Sequence, residues 1–213
     1  MIEIKNLPIT RGEVPFRVAR GHFATSHSHI NYYIDIAKQK SRLSEAKAVA
    51  KYLAKAYWGS TSVDTILCLE GMSVIGACLA SELTARGNRG VNENEDIFVV
   101  EPEYNTNGQI IFRDNIQPMI ANKRVLVLMA SVTTGKTAKR SLEAVAYYGG
   151  QVVGVASLYR AVDEVGGVPA NSVYSLDDLP DYESYDYKDC PMCKTGRKLD
   201  ALVNSFGYSG INI

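Results

Sequence analysis

Short, continuous apolar runs alternate along the chain with stretches whose apolar residues recur every third or fourth position, and that alternation predicts strands and helices in turn. Val63–Leu69, Val125–Met129 and Val152–Tyr159 are the cleanest runs. Each is short enough for a strand and apolar at consecutive positions, as a strand covered on both faces requires. Ala46, Val49, Ala50, Leu53 and Tyr57 keep the i, i+3, i+4 spacing of one buried face. They predict a helix from an N-cap at Ser44 to about Trp58, closed by Gly59. Val74–Arg86, ending at Gly87, and Thr137–Tyr148, ending at Gly149-Gly150, read as two more helices. Weaker strands are expected at Ile97–Val100, Gln109–Phe112 and Val173–Ser175. Residues 1–43 sustain no period and read as irregular, with a polar and aromatic cluster at Gly21–Asp35.

Strands alternating with helices in this way predict an α/β fold with a doubly wound, mainly parallel sheet. The expected organisation is a single domain: an N-terminal segment over 1–43, an α/β core over 44–175 and a tail over 176–213. Ligands of such sheets sit beyond the carboxyl ends of the strands, which directs attention to the loops Glu70–Ser73 and Ala130–Thr137.

Composition narrows the partners more than the fold. Basic and acidic residues balance at 23 each, so net charge favours neither nucleic acid nor an acidic membrane surface. No run approaches the roughly 18 apolar residues of a spanning helix, and the N-terminus lacks a basic-then-apolar leader, so a cytoplasmic location is expected. Of the four cysteines, Cys68 and Cys78 fall in apolar runs and read as reduced core residues. Cys190-Pro191-Met192-Cys193 has zinc-like spacing, but a structural zinc site needs four ligands and the sequence offers no second cysteine pair. A solvent-facing turn is therefore expected there, and no metal site. His27 and His29 are spaced to share a metal on an extended strand, with a polar surface as the plainer reading.

The segment VLVLMASVTTGKTAKRSLEAVAYYGG carries the chemistry. Free N–H groups at a helix start, together with the helix dipole, make an anion site. Ser131, Thr133, Thr134 and Thr137 add hydroxyls, Gly135 permits close backbone approach, and Lys136 adds positive charge. The plain alternative is a tight turn with a threonine cap. A P-loop also competes, since Gly135-Lys136-Thr137 fits its ending; Ala130, however, stands where its first glycine belongs.

Three segments in order resemble the type I phosphoribosyltransferases, and within them the orotate phosphoribosyltransferases. Ser131–Thr137 after its apolar strand is similar to the family's ribose-phosphate loop. GHFATSHSHINYYID is similar to the base-side segment, and VDTILCLEGMSVIGACLASEL to the strand, turn and helix at the pyrophosphate. CPMCKTG resembles an ending found in some of those enzymes. The resemblance implies a doubly wound sheet with the N-terminal segment forming part of a hood. It implies transfer of a phosphoribosyl group from phosphoribosyl pyrophosphate, with Mg²⁺, to a nitrogenous base, and a homodimer. By the same resemblance Ser131, Thr133, Thr134, Gly135, Lys136 and Thr137 take the 5′-phosphate. Glu70, Gly71, Met72 and Ser73 line the pyrophosphate side, and Ser26, His27, Tyr32 and Tyr33 the base side. Met129 and Ala130 stand where the family has two adjacent acids for the ribose hydroxyls. The stretch from Val99 to Phe112 has Glu101 and Glu103 but none of the family's basic loop residues. Those departures imply slow or absent transfer, and the alternative is a non-catalytic sensor of a nucleotide or phosphorylated metabolite.

Overall fold

A computed structural model describes residues 2–85 and 90–211. Its first elements are strands β1 (Lys5–Arg11), β2 (Val14–Ala24) and β3 (His29–Ile34), followed by helices α1 (Ala37–Ser41) and α2 (Leu43–Ala54). Strand β4 (Thr65–Cys68), helix α3 (Ser73–Thr84) and strand β5 (Phe98–Val100) come next, then a hairpin of β6 (Glu103–Tyr104) and β7 (Ile110–Ile111). The chain continues through β8 (Arg124–Val132), α4 (Lys136–Tyr147), β9 (Gln151–Arg160), β10 (Glu164–Val165) and β11 (Val168–Ser175). It ends with β12 (Ser184–Tyr185), a single turn α5 (Pro191–Lys194), β13 (Ala201–Asn204) and β14 (Gly207–Gly210).

The core sheet has the order β10-β11-β9-β8-β4-β5, parallel throughout except for the terminal β10–β11 hairpin. All three long apolar runs occupy inner positions, as expected of strands buried on both faces. Helices α2 and α3 share one apolar cluster with Leu126, Leu128 and Ala130, while α4 packs its Ala138 and Val145 against Val125, Val127 and Met129 on the other face. The sheet is thus doubly wound. Gly76 lets α3 lie close to β4, because a Cβ there would sit 2.3 Å from the Cys68 sulfur.

Helix limits shift slightly from those predicted. The first long helix starts at Leu43 after Arg42 rather than at a Ser44 cap, and α3 ends by Thr84; Gly87, its expected stop, lies outside the described residues. Of the weaker strands, Ile97–Val100 shortens to Phe98–Val100 and Gln109–Phe112 contributes only Ile110–Ile111, paired with β6 away from the core sheet, whereas Val173–Ser175 is the end of the longer β11.

The larger correction concerns residues 1–43, which are not irregular. They form the strands of a second sheet, order β12-β3-β2-β13-β14, with β1 on the first half of β2. Strand β2 pairs with β3 along one edge, and β1 and β13 share the other. The periodicity escaped notice because these strands mix apolar with Arg, His and Asn, and because β12, β13 and β14 come from the far end of the chain. The hood is therefore built by both termini, and the tail is part of it.

Candidate functional site

Among the parallel strands the chain order is β5-β4-β8-β9-β11, so connections leave in opposite directions on either side of the β4–β8 pair. The crevice at such a switch point is where open α/β sheets hold ligands. Here it opens as a cavity of about 260 Å³ roofed by the hood.

Its floor is the turn from β8 into α4. Gly135 takes φ +72, a left-handed conformation that suits glycine, and immediately precedes α4. No side chain caps that helix, so its first N–H groups have no intrahelical acceptor and face anions favourably. Ser131, Thr133, Thr134, Lys136 and Thr137 all line the cavity; Gly135 shapes the turn without lining it. Thr134 and Lys136 are exposed.

Glu70 forms the facing wall. It adopts φ +57, uncommon for a residue with a Cβ and costing about 1 kcal/mol or more. The conformation aims its carboxylate across the switch point, where Oε2 accepts the Ala130 N–H at 3.0 Å. Burial lifts the Glu70 carboxyl above its ordinary range, against the pull of that N–H and of Lys40. Lys40 donates to the carbonyls of Glu70, at 2.5 Å, and of Ser205, at 2.6 Å, and its ammonium lies 4.8 Å from the centre of the Phe206 ring. One lysine thus ties the core loop to the tail, and burial lowers its pKa.

The other residues expected on this side separate. Met72 is fully buried core and meets no ligand space. Gly71 is exposed beneath Phe206 and Lys40, and the Ser73 hydroxyl donates to the Glu101 carboxylate. Glu103 is held by Arg113 at 2.5 Å, one residue beyond the stretch that looked purely acidic, so the hairpin's charge is partly neutralised.

The hood supplies the roof. Thr25 Oγ1 accepts the N–H groups of His27 and Ser28 at 3.1 and 2.9 Å, which fixes a turn whose Thr25, Ser26, His27 and Ser28 line the cavity. Tyr33 lines it too, with burial pushing its hydroxyl up to about 12. Tyr32 does not. Strand alternation turns it to the opposite face, where Arg20 stacks at 5.7 Å. Tyr182, from the tyrosine-rich tail, closes one side beside Thr133, with burial raising its hydroxyl to about 12. Lys40, Asn204 and Ser205 carry no signal of their own in the sequence, since only the fold brings chain ends and core together, and Tyr182 reads there only as part of a tyrosine-rich interface or covering loop. Met129 and Ala130 are both buried, and only Ala130 borders the cavity.

The histidines also pair differently from expectation. His29 meets His22, not His27, with Nδ1 and Nε2 3.2 Å apart, and Cys190 and Cys193 complete a group of four. Cys190 is fully buried rather than solvent-facing, because α5 folds back onto the hood.

No family model matches the chain. It is 31% identical over 193 residues to the orotate phosphoribosyltransferase of Wolinella succinogenes, across 84% of this chain and 87% of the relative. To the Thermotoga maritima orotate phosphoribosyltransferase it is 40% identical over 191 residues, 83% of this chain and 86% of the relative. Among solved structures it is similar to Leishmania donovani UMP synthase, with TM-score 0.56 and 19% identity over 84% of this chain and 36% of that one. A phosphoribosyltransferase from Corynebacterium diphtheriae matches with TM-score 0.50 and 18% identity over 76% and 91% of the two chains. At those identities the structures bear on the fold alone.

Proposed function

The chain belongs to the orotate phosphoribosyltransferase family, and on that premise we propose that its cavity holds a phosphoribosyl ligand. The 5′-phosphate lies on the Ser131–Thr137 turn, and a nitrogenous base lies under Ser26, His27 and Tyr33. The observation that carries this reading is the convergence of the uncapped α4 N-terminus, four hydroxyl side chains and Lys136 on one cavity at the switch point.

The family reaction transfers phosphoribosyl from its pyrophosphate donor to orotate. In this chain the core side offers the ribose hydroxyls no acid from Met129 or Ala130, and Glu70 is the one carboxylate among the cavity-lining residues. Mg²⁺ fits such a site when it arrives on the donor's phosphates, since the ion is commonly held by one or two carboxylates plus substrate oxygens. Bound there, it would neutralise phosphate charge. Glu70 would hold it, while the turn positions the 5′-phosphate and the hood excludes water. The buried, apolar Met129 and Ala130 favour a protein that binds better than it transfers, and a sensor of nucleotides or phosphometabolites is the second reading.

A thermal-shift panel tests the site: phosphoribosyl pyrophosphate, ribose 5-phosphate, nucleoside monophosphates and free phosphate, with and without Mg²⁺. Ligands that carry ribose 5-phosphate should raise Tm, because binding to the native state stabilises it. A flat panel retires the cavity as a phosphoribosyl site.

A homodimer is part of the proposal. The β6–β7 hairpin flanks a groove on α4 with Tyr104 and Tyr147 exposed by 51% and 84%, which leaves aromatic surface uncovered in the single chain. Light scattering at micromolar concentration should report twice the chain mass; a monomer refutes it.

A further inference from the structure

Four residues outside the phosphoribosyl cavity converge with no role in it: His22, His29, Cys190 and Cys193, whose ligand atoms all lie within 4.8 Å of one another. The geometry points to a structural Zn²⁺ site of the His₂Cys₂ type that fastens the C-terminal tail to the hood sheet.

A tetrahedral zinc with bonds of about 2.0–2.1 Å to nitrogen and 2.3 Å to sulfur sets its ligand atoms roughly 3.3–3.8 Å apart. Four of the six edges lie at or close to this range, and the group as a whole spans up to 4.8 Å, which a bound ion would draw in. His22 Nε2 lies 3.2 Å from His29 Nδ1, 3.5 Å from Cys190 Sγ and 3.7 Å from Cys193 Sγ, and Cys193 Sγ lies 3.2 Å from His29 Nδ1. The support for His22 is also in place. Its Nδ1 lies 2.9 Å from the Arg197 carbonyl, which can only accept, so Nδ1 carries the proton and the Nε2 lone pair faces the group. His22 and Cys190 are fully buried, Cys193 is exposed, and all four cysteines are free thiols. The second ligand pair that a zinc site requires comes from a β-hairpin, not from a second Cys-x-x-Cys.

The local fold explains why a fastener is useful. Between β12 and β13, residues 186–200 contain only the single turn α5, and Cys190 is the one fully buried apolar side chain there. Pro191 at the first helical position starts the turn that points both sulfurs the same way. On the other side, His22 and His29 bracket the Thr25–Ser28 turn that roofs the cavity. Zinc binding releases the two thiol protons and fixes both segments at once, because metal affinity is spent on ordering the ligands' elements. The inference stands independently of what the cavity binds.

Protein expressed with zinc and purified under mild reductant should carry about one zinc per chain by elemental analysis. Cys193→Ser and His29→Ala should each lower retained zinc at least about tenfold after dialysis against a chelator, while Cys78→Ser retains it. Because Cys193 is exposed, its substitution leaves the core intact. Cobalt exchanged into the wild type should give intense tetrahedral d–d absorption with a thiolate charge-transfer band, both lost in Cys193→Ser. Metal-free protein with no cobalt spectrum, or a Cys190–Cys193 disulfide in freshly isolated protein, overturns the assignment. Zinc retained equally by Cys193→Ser and Cys78→Ser overturns it too.

Discussion

Strand β8 is buried from Val125 to Ala130 on both faces, whereas β13 in the hood alternates, with Ala201 and Val203 inward and Leu202 and Asn204 exposed. The first kind of strand is covered by apolar packing on both faces. The second is covered on one face only, and its sheet is assembled from chain segments that lie far apart in sequence. Polar fasteners supply the difference: Arg17 to Glu45, Lys40 to Glu70 and Ser205, Arg11 to Asp178, and the histidine–cysteine group. The ligand cavity lies on the seam between the two constructions. The Ser131–Thr137 floor belongs to the core, and the Thr25–Ser28 roof is only as ordered as those fasteners make it.

The sharpest break of this contrast is catalytic, because the core half of the proposed site has the Ser131–Thr137 turn but neither acid that the family uses for the ribose. Two lost bonds to charged acceptors at about 1.5–3 kcal/mol each amount to roughly 3–6 kcal/mol, or two to four decades in rate. Orotate turnover with phosphoribosyl pyrophosphate should therefore run about a thousandfold below that of a relative carrying both acids, as steady-state assays will show. Met129→Asp cannot repair the loss, since that side chain is buried against the α4 side of the core. Ala130→Asp places an acid at the cavity while Glu70 stays in place for Mg²⁺, and should recover part of the rate. Full wild-type turnover would show that the hood supplies the missing acceptor.

Next in size is the fastener between hood and core. Arg17 on β2 donates to both Glu45 oxygens on α2, at 2.7 and 2.9 Å, with the side chains only 13% and 10% exposed. The pair holds the Glu45 carboxyl below its ordinary range. Glu45→Ala strands a buried guanidinium and should cost about 3–5 kcal/mol, a Tm fall of roughly 6–20 °C in calorimetry. An Arg17→Met, Glu45→Leu variant should recover most of that loss. If Glu45→Ala melts like the wild type, the hood does not depend on polar fasteners.

The same contrast explains what the sequence disclosed. Val63–Leu69, Val125–Met129 and Val152–Tyr159 could be placed correctly because a strand covered on both faces needs an unbroken apolar run. The Ser131–Thr137 turn was legible as a turn because glycine, threonines and lysine fall where a strand meets a helix. The hood strands were hidden because one-sided strands with His, Arg and Asn carry a weaker period. His22 carries no signal in the sequence alone, because its significance depends on Cys190, 168 positions away. Tyr32 and Tyr33 could not be told apart until a strand assigned them to opposite faces.

A smaller effect separates binding from folding in the core half. Lys136→Ala and Thr134→Ala each remove a donor from the anion site, and both side chains are exposed. Each should weaken affinity for a ribose 5-phosphate ligand about tenfold, or roughly 1.4 kcal/mol, while Tm without ligand stays unchanged. Calorimetric titration makes the comparison, and unchanged affinity in both variants would separate the turn from the ligand.

The smallest expected effect tests whether the core, unlike the hood, is indifferent to its ion pairs. Asp64, just before β4, accepts the Arg124 side chain at 2.6 and 2.8 Å and its backbone N–H at 2.7 Å. The side-chain hydrogen bond from Arg124 is the main cause that holds the Asp64 carboxyl at about 2, against an ordinary 3.8. A depressed carboxyl pKa means that the unfolded chain binds the extra proton first as pH falls. The contribution is therefore complete above about pH 4 and is lost as pH drops through about 2. Arg124 is 46% exposed, so water screens the pair, and at neutral pH it should be worth about 1 kcal/mol or less. Asp64→Asn keeps an oxygen for the backbone N–H and removes the charge. Its Tm at pH 7 should fall by only a few degrees, and urea titrations between pH 4 and pH 2 should show a shallower loss of stability than the wild type. A drop at pH 7 as large as that of Glu45→Ala would place the core's strands under the same polar control as the hood's, and the distinction between the two constructions would fail.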